Sequence, residues 1–351
     1  MNGTTYGLDI AKNVMQLHWV DPDSGEILRK KLSRAKLSDF FAQRQPGRIA
    51  LEACGGAHHW ARTLGALGHQ LELLPAGQVR NFVRSNKDDA ADARAIWLAA
   101  QHPDIRRVPI KSLEQQTIQA LHRTRAHWVC LRTATINSLR GLLYEFGIAL
   151  PKGKYAGLRT LAEQGAQVEA QLPPAMMTLV RDQLAAIKEL DERVKFYEAQ
   201  LLALSKTMDT AKRLGEVPGI GVIGATALAA TLGNGQGWRN AREFACCVGL
   251  VPRHSGSGGK VVMGRLSKRG DPYLRTVLTC GARAVLCSPK APPWALQMLQ
   301  RRPFNVVVVA LAHKMARTAW AIVAKGRHYD DEWKSTPPTT KVTMATQPQP
   351  T

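Results

Sequence analysis

The alternation of apolar and polar positions over the first hundred residues predicts strands before helices. Residues 6–10 read as a short strand and residues 14–20 as a second. DPDSG at 21–25 is a turn, and residues 26–32 then read as a third strand, so the chain opens on an antiparallel meander. Residues 35–44 suit a helix, 48–53 an apolar strand carrying Glu52, 58–67 a helix and 70–74 a further strand. Residues 89–100 place apolar side chains on one helical face. Three antiparallel strands followed by alternating helices and strands is the order of a ribonuclease H-like α/β domain.

Beyond that point the period changes. Residues 113–146 predict a long helix with Arg123, Arg125, Arg132 and Arg140 between its apolar positions. Ile187, Leu190, Val194, Tyr197, Leu201 and Leu204 alternate three and four apart, with Val180 in register. That spacing is a coiled-coil seam, open either to self-association or to packing within the chain. The pattern divides the chain into an α/β unit at 1–110, a helical, coiled-coil region at 111–208, and a mainly α unit at 209–333. Residues 334–351 form a Pro- and Thr-rich tail expected to be disordered.

Composition narrows the function classes. No apolar run reaches the length needed to span a bilayer, the longest being 306–311, and the N-terminus lacks a signal-peptide pattern. A cytoplasmic protein is expected. The six cysteines form no CxxC pair, so neither a zinc site nor a disulfide framework is suggested. The formal charge of +21 calls for a polyanion. It is unevenly placed: residues 211–327 hold eighteen Lys or Arg against Glu216, Glu243 and Asp271. A segment so one-sided, yet rich in apolar residues, favours a folded nucleic-acid face.

Four carboxylates fit that reading. Asp9 lies inside the apolar strand GLDIA, and Glu52 ends the apolar strand IALEA. A carboxylate in such a strand is costly unless exposed, paired or bound to metal. Asp89 and Asp92 stand three apart and share a helix face, although alone they suit a helix N-terminus. In a ribonuclease H-like sheet the first and fourth strands are neighbours, so Asp9 and Glu52 would meet and Asp89 and Asp92 could close the cluster. Two Mg²⁺ ions about 4 Å apart would neutralise it and flank a scissile phosphate.

A second chemistry-bearing stretch is LVPRHSGSGGKVVMGRLSKRGD at 250–271. SGSGG reads as a flexible loop ringed by Arg253, Lys260, Arg265, Lys268 and Arg269. Glycine backbone approaches phosphate closely and the cations neutralise it. A serine here can bind phosphate or, if activated, attack it. VPGIG at 217–221 sits between two helix-compatible stretches. Gly219 and Gly221 permit a tight turn that binds phosphate, as in a helix-hairpin-helix, or an ordinary packing turn.

Together these motifs resemble the DEDD-type transposases of bacterial insertion sequences, relatives of the Piv invertase and of bridge-RNA-guided serine recombinases. GLDIAK, ALEACGG and NKDDAADA are similar to the three acidic motifs, and VPGIG, VGLVPR, SGGK and GRLSKRGDPYLR to the C-terminal ones. The resemblance covers nearly the whole chain to about residue 327. It implies a RuvC-like domain whose Asp9, Glu52, Asp89 and Asp92 bind Mg²⁺. Asp88 stands where the family carries Thr, and the spacing to Asp92 matches Asp89. It also implies a nucleophilic serine, matched by Ser257 with Ser255 as the alternative, and a composite site in which the serine domain of one subunit meets the RuvC-like domain of another on DNA. The implied partners are donor and target DNA, a structured guide RNA, and further copies of the chain as a dimer or a tetramer on DNA. Two other classes are a Holliday-junction resolvase-like metal-dependent nuclease and a non-enzymatic nucleic-acid-binding protein; mutation of Ser257 and Asp9 separates them.

Overall fold

A computed structural model describes residues 3–83 and 89–332 of the chain, with the side chains of residues 89, 90, 154 and 155 set aside. Asp88 and the tail expected over residues 334–351 lie outside the described residues. The N-terminal part is a mixed sheet built from β1 (Thr5–Ile10), β2 (Val14–Val20), β3 (Ile27–Ser33), β4 (Arg48–Glu52) and β5 (Gln70–Leu74). Its strand order is β3-β2-β1-β4-β5. β1 to β3 form the expected antiparallel meander, while β4 runs parallel to β1 and β5 parallel to β4.

Alternation decides which helix covers which face. Tyr6, Leu8, Ile49 and Leu51 point to one side and pack with α1 (Leu37–Ala42) and α2 (Ala57–Gly65) through Phe41, Trp60 and Leu64. Ala50 faces the other side and packs with Ala95, Ile96 and Ala99 of α4 (Asp89–Gln101). Between β5 and α4 lies the short α3 (Ala76–Val79). Small residues let α4 approach the sheet. A Cβ on Gly7 would meet the backbone of Ala93 and, at 2.7 Å, the nitrogen of Trp97.

The middle is dominated by α5 (Leu113–Glu145) and α8 (Pro174–Thr207), linked through α6 (Lys154–Glu163) and α7 (Gly165–Gln171). Ser112 and Gln115 form a capping box that starts α5. The α8 seam buries Val180, Ile187, Val194 and Leu201, seven residues apart. Ile187 and Val180 cluster with Ile136, Leu139 and Leu143 of α5, and Leu201 with Ile118. Ion pairs Arg125–Glu198 at 2.5 Å and Arg132–Asp191 at 2.7 Å fix the antiparallel register. Within the chain the seam packs against α5.

The C-terminal part gathers α9 (Asp209–Gly215), α10 (Val222–Leu232), α11 (Ala241–Val248), α12 (Pro272–Leu286), α13 (Pro293–Leu299) and α14 (Phe304–Lys325) around one core. Among the described residues, α14, 22 residues long, has the length and apolarity to cross a membrane. This corrects the expectation that no stretch reaches that length, which missed the apolar positions on either side of 306–311. Val307, Val308, Leu311, Met315 and Ala319 are buried in the C-terminal core, where such a helix serves packing.

The stretch at 250–271 is not the flexible loop expected. It is a two-stranded hairpin, β6 (Pro252–Ser257) and β7 (Lys260–Leu266), with Ser257 paired to Lys260. Gly258 and Gly259, at φ 57° and 79°, make the two-residue turn that matches strand twist.

Candidate functional site

The acidic pair is set by strand register. Gly7 pairs with Ala50 and Leu8 with Leu51, so one step further brings Asp9 beside Glu52. Both lie on the face that Gly7 and Ala50 share, the side covered by α4. Neighbouring strands are about 4.8 Å apart. Two carboxylates at that separation form a hard, oxygen-only donor set suited to a divalent cation.

Helix α4 runs antiparallel to β1, and its rise explains where its acids fall. The Trp97 indole N–H donates to the Thr5 carbonyl at 3.1 Å, and Ala93 lies over Gly7. Four helical residues rise about 6 Å, close to the ~6.6 Å of two strand residues. Continuing that match puts the start of α4, at Asp89, level with Asp9. Asp92 lies in the same first turn and is half-buried. The Asp89 side chain is outside the described set. Among the described residues no three His, Cys, Asp or Glu side chains are gathered as a metal cluster. Extending the strand register sets Asp9 next to Glu52, and the rise of α4 carries its first turn toward their level. Burial raises the Cys54 thiol, and Glu52 and Asp9 raise it further, so Cys54 lies within reach of both carboxylates.

The hairpin presents the second group. Ser257, Lys260, Ser255 and Val262 share one face by their register, and His254, Val261 and Met263 share the other. Val261, Val262 and Met263 are 67%, 64% and 63% exposed, so the arm is not seated on its own chain. Arg253, Lys260, Arg265, Lys268 and Arg269 are all exposed. Lys268 has φ of 52°, a left-handed conformation rare for a side-chain-bearing residue. It is held where Ser267 N–H donates to the Val251 carbonyl at 2.8 Å and Gly270 lies against Cys247.

The VPGIG turn joins α9 to α10. Gly219, at φ 87°, faces α12: a Cβ there would stand 2.8 Å from the Gly281 oxygen and from Val285. Gly219 thus serves close packing, whereas the space at Gly221 is open and the residue is exposed. Sequence reasoning missed Gly7, Ala93 and Trp97, which set the height of α4. The signal available was small residues placed opposite each other in GLD and in the helix. It also missed the strap at residues 102–112. There Arg106 pairs with Glu243 at 2.8 Å and lies over the Trp238 ring, joining the α/β part to the C-terminal part.

Most of the chain is similar in sequence to known proteins. Residues 211–297 match the family described as Transposase IS116/IS110/IS902 family, and residues 6–148 match the DEDD transposase family of IS110 type. A probable family 20 transposase of Pseudomonas aeruginosa is 44% identical over 94% of this chain and 99% of its own length. The transposase for insertion sequence element IS1328 of Yersinia enterocolitica is 38% identical, covering 93% of this chain and 98% of its own length. The transposase for IS1111A of Coxiella burnetii is 36% identical, covering 92% and 90%. The chain is an enzyme of the DNA transposase class. It belongs to the IS116/IS110/IS902 family of insertion-sequence transposases. Transposases with such an acidic domain generally use a divalent metal.

Proposed function

We propose that this transposase cuts and rejoins DNA with two groups of its own residues, an acidic RuvC-like site and the serine of the hairpin arm. The observation that carries the reading is the β1–β4 register, which sets Asp9 beside Glu52 under the N-terminus of α4. Asp9, Glu52, Asp89 and Asp92 would hold Mg²⁺. When bound, the cation supplies charge neutralisation and Lewis-acid polarisation at a phosphodiester oxygen.

The chain's own residues do the rest. Ser257 Oγ attacks phosphorus, forming an O–P bond while the bond to one sugar oxygen breaks. The hydroxyl proton ends on the freed sugar oxygen. The number of phosphodiester bonds is conserved, so rejoining to another strand reverses the step without an external energy source. Lys260, directly across from Ser257, and Arg253, Arg265, Lys268 and Arg269 hold the DNA backbone. Gly219 and Gly221 would add a helix-hairpin-helix contact, of which only the Gly221 side is open. DNA donor and target, a structured guide RNA read through its backbone, and a second copy of the chain complete the assembly, with a tetramer on DNA as the larger form. A cytoplasmic location goes with these partners.

The test is a strand-exchange assay with adduct trapping. Ser257→Ala abolishes the covalent protein–DNA adduct and lowers strand exchange by roughly a hundredfold or more, while S255A keeps both. Asp9→Ala lowers strand exchange equally but retains DNA binding. Full-rate cleavage by S257A would instead support a resolvase-like nuclease that activates water.

A further inference from the structure

Three cations converge where α2, the strap and α5 meet, and no step described above uses them. The Lys111 N–H donates to His58 Nδ1 at 3.2 Å, which leaves the ring proton on Nε2. Arg62 donates to the Lys111 carbonyl at 2.5 Å, and the Lys111 ammonium donates to Gln119 Oε1 at 3.0 Å. His58, Arg62 and Lys111 are half-buried, and Arg123, one helical turn beyond Gln119, is exposed. We propose that Lys111, Arg62 and Arg123, with the His58 Nε2–H, form a seat for one nucleic-acid phosphate.

The gathered positive charge suits an anion. Lys111 lies near Arg123 and near Asp271, the carboxylate of the α12 N-cap, while Lys111, Arg62 and Arg123 all lie near His58. Burial and then Arg123 press the Lys111 ammonium downward, and burial with Lys111, Arg62 and Arg123 takes His58 to about 4. Like charges gathered and partly desolvated are costly unless a counter-ion joins them. A phosphodiester brings one negative charge and several acceptor oxygens to three cationic donors and a neutral one.

Position completes the argument. Helix α2 starts five residues after Glu52, at the sheet edge where Asp9 and Glu52 end their strands. Asp271 follows directly on the hairpin strand β7 and Lys268–Gly270. A nucleic-acid strand held here would pass the start of α2, which follows Glu52 in the chain, and the N-cap of α12, which follows the arm. The seat rests on the reading that nucleic acid crosses this edge, but not on the identity of the nucleophile.

Binding is measured by fluorescence polarisation with a labelled DNA duplex in EDTA, across a salt series, so that no strand chemistry enters. Lys111→Gln weakens binding about tenfold and lowers the salt slope by about one, whereas K111R keeps most of the affinity. Arg123→Gln, at an exposed position that cannot compromise folding, acts in the same direction, and R301Q, an exposed base elsewhere, costs less. In a melting assay, inorganic phosphate raises the Tm of the wild type more than that of K111Q. Unchanged affinity and slope in both K111Q and R123Q would overturn the seat. So would a K111Q that lowers the Tm while binding DNA normally, since Lys111 would then be only a strut between elements. If S257A and D9A fail their own test while K111Q and R123Q weaken binding as stated, the proposed chemistry is wrong and the seat stands.

Discussion

At the scale of single residues, His122 shows how a buried polar group fixes its own protonation. Its Nε2–H donates to Thr226 Oγ1 at 3.0 Å, because the Thr226 hydroxyl already donates to the Val222 carbonyl at 2.7 Å. Its Nδ1 therefore accepts from the Tyr273 hydroxyl at 2.9 Å. This three-way bond joins α5, α10 and α12 and is satisfied only by a neutral ring. Burial, with Arg125 adding repulsion, takes His122 from 6.5 to about 4. Between those values the unfolded chain binds a proton that the folded chain refuses. Stability is therefore full above about pH 6.5, declines as the pH falls through the window, and is lost below about 4. This residue's share is on the order of 3 kcal/mol. Urea unfolding of the wild type and His122→Asn at pH 6.5 and pH 4 measures it. The wild type loses more stability than the variant over that interval; equal losses would mean that His122 titrates normally in the fold.

At the scale of elements, two glycines on different helical units decide whether the C-terminal core closes. Gly219 in the α9–α10 turn and Gly281 in α12 touch backbone to backbone, and a Cβ on either would enter the other's carbonyl. Gly219→Ala adds the strain of a positive φ, so it destabilises by about 2–4 kcal/mol, and Gly281→Ala by a similar amount without that strain. Differential unfolding reads both, and a Gly219→Ala protein as stable as the wild type would show that α12 can move away. The same contact explains what sequence could and could not tell. VPGIG announces a tight turn, but a turn that binds phosphate and one that receives another helix use the same glycines. Strands β1 to β5 were legible because period-two alternation is local, and so was the placement of Asp9 and Glu52 within them. The hairpin arm was not read, because SGSGG looks flexible. The signal was the two-residue Gly258–Gly259 spacing beside the Val261–Met263 run. The use of the α8 seam was undecided because the same stripe serves either a second copy or α5, and the partner is a long-range choice.

At the scale of the whole molecule, the question is whether one chain brings its serine to its own acids. The strap joins the α/β part to the C-terminal part. Val108 bridges to Leu73, Arg107 pairs with Glu72 at 2.8 Å, Arg106 pairs with Glu243, and Gly237 lies so close to Pro109 that a Cβ would collide with it. From this frame the arm projects with every residue of β6 exposed and β7 exposed up to its last residue. An arm seated on the sheet of its own chain would bury one of its two faces, and neither is buried. Within the chain the α8 seam packs on α5. The proposed chemistry, as the resemblance to the family implies, has Ser257 of one copy act at the acidic pair of another, with DNA between them. Two inactive proteins test this directly. D9A retains an intact arm and S257A retains an intact acidic site, so a mixture of the two forms one complete site for every such pairing. Strand exchange by the mixture rises well above that of either variant alone, and the covalent adduct forms on the D9A chain, distinguished by a size tag. A mixture as inactive as its components, with each variant still folded and binding DNA, would mean that the arm swings back onto its own sheet.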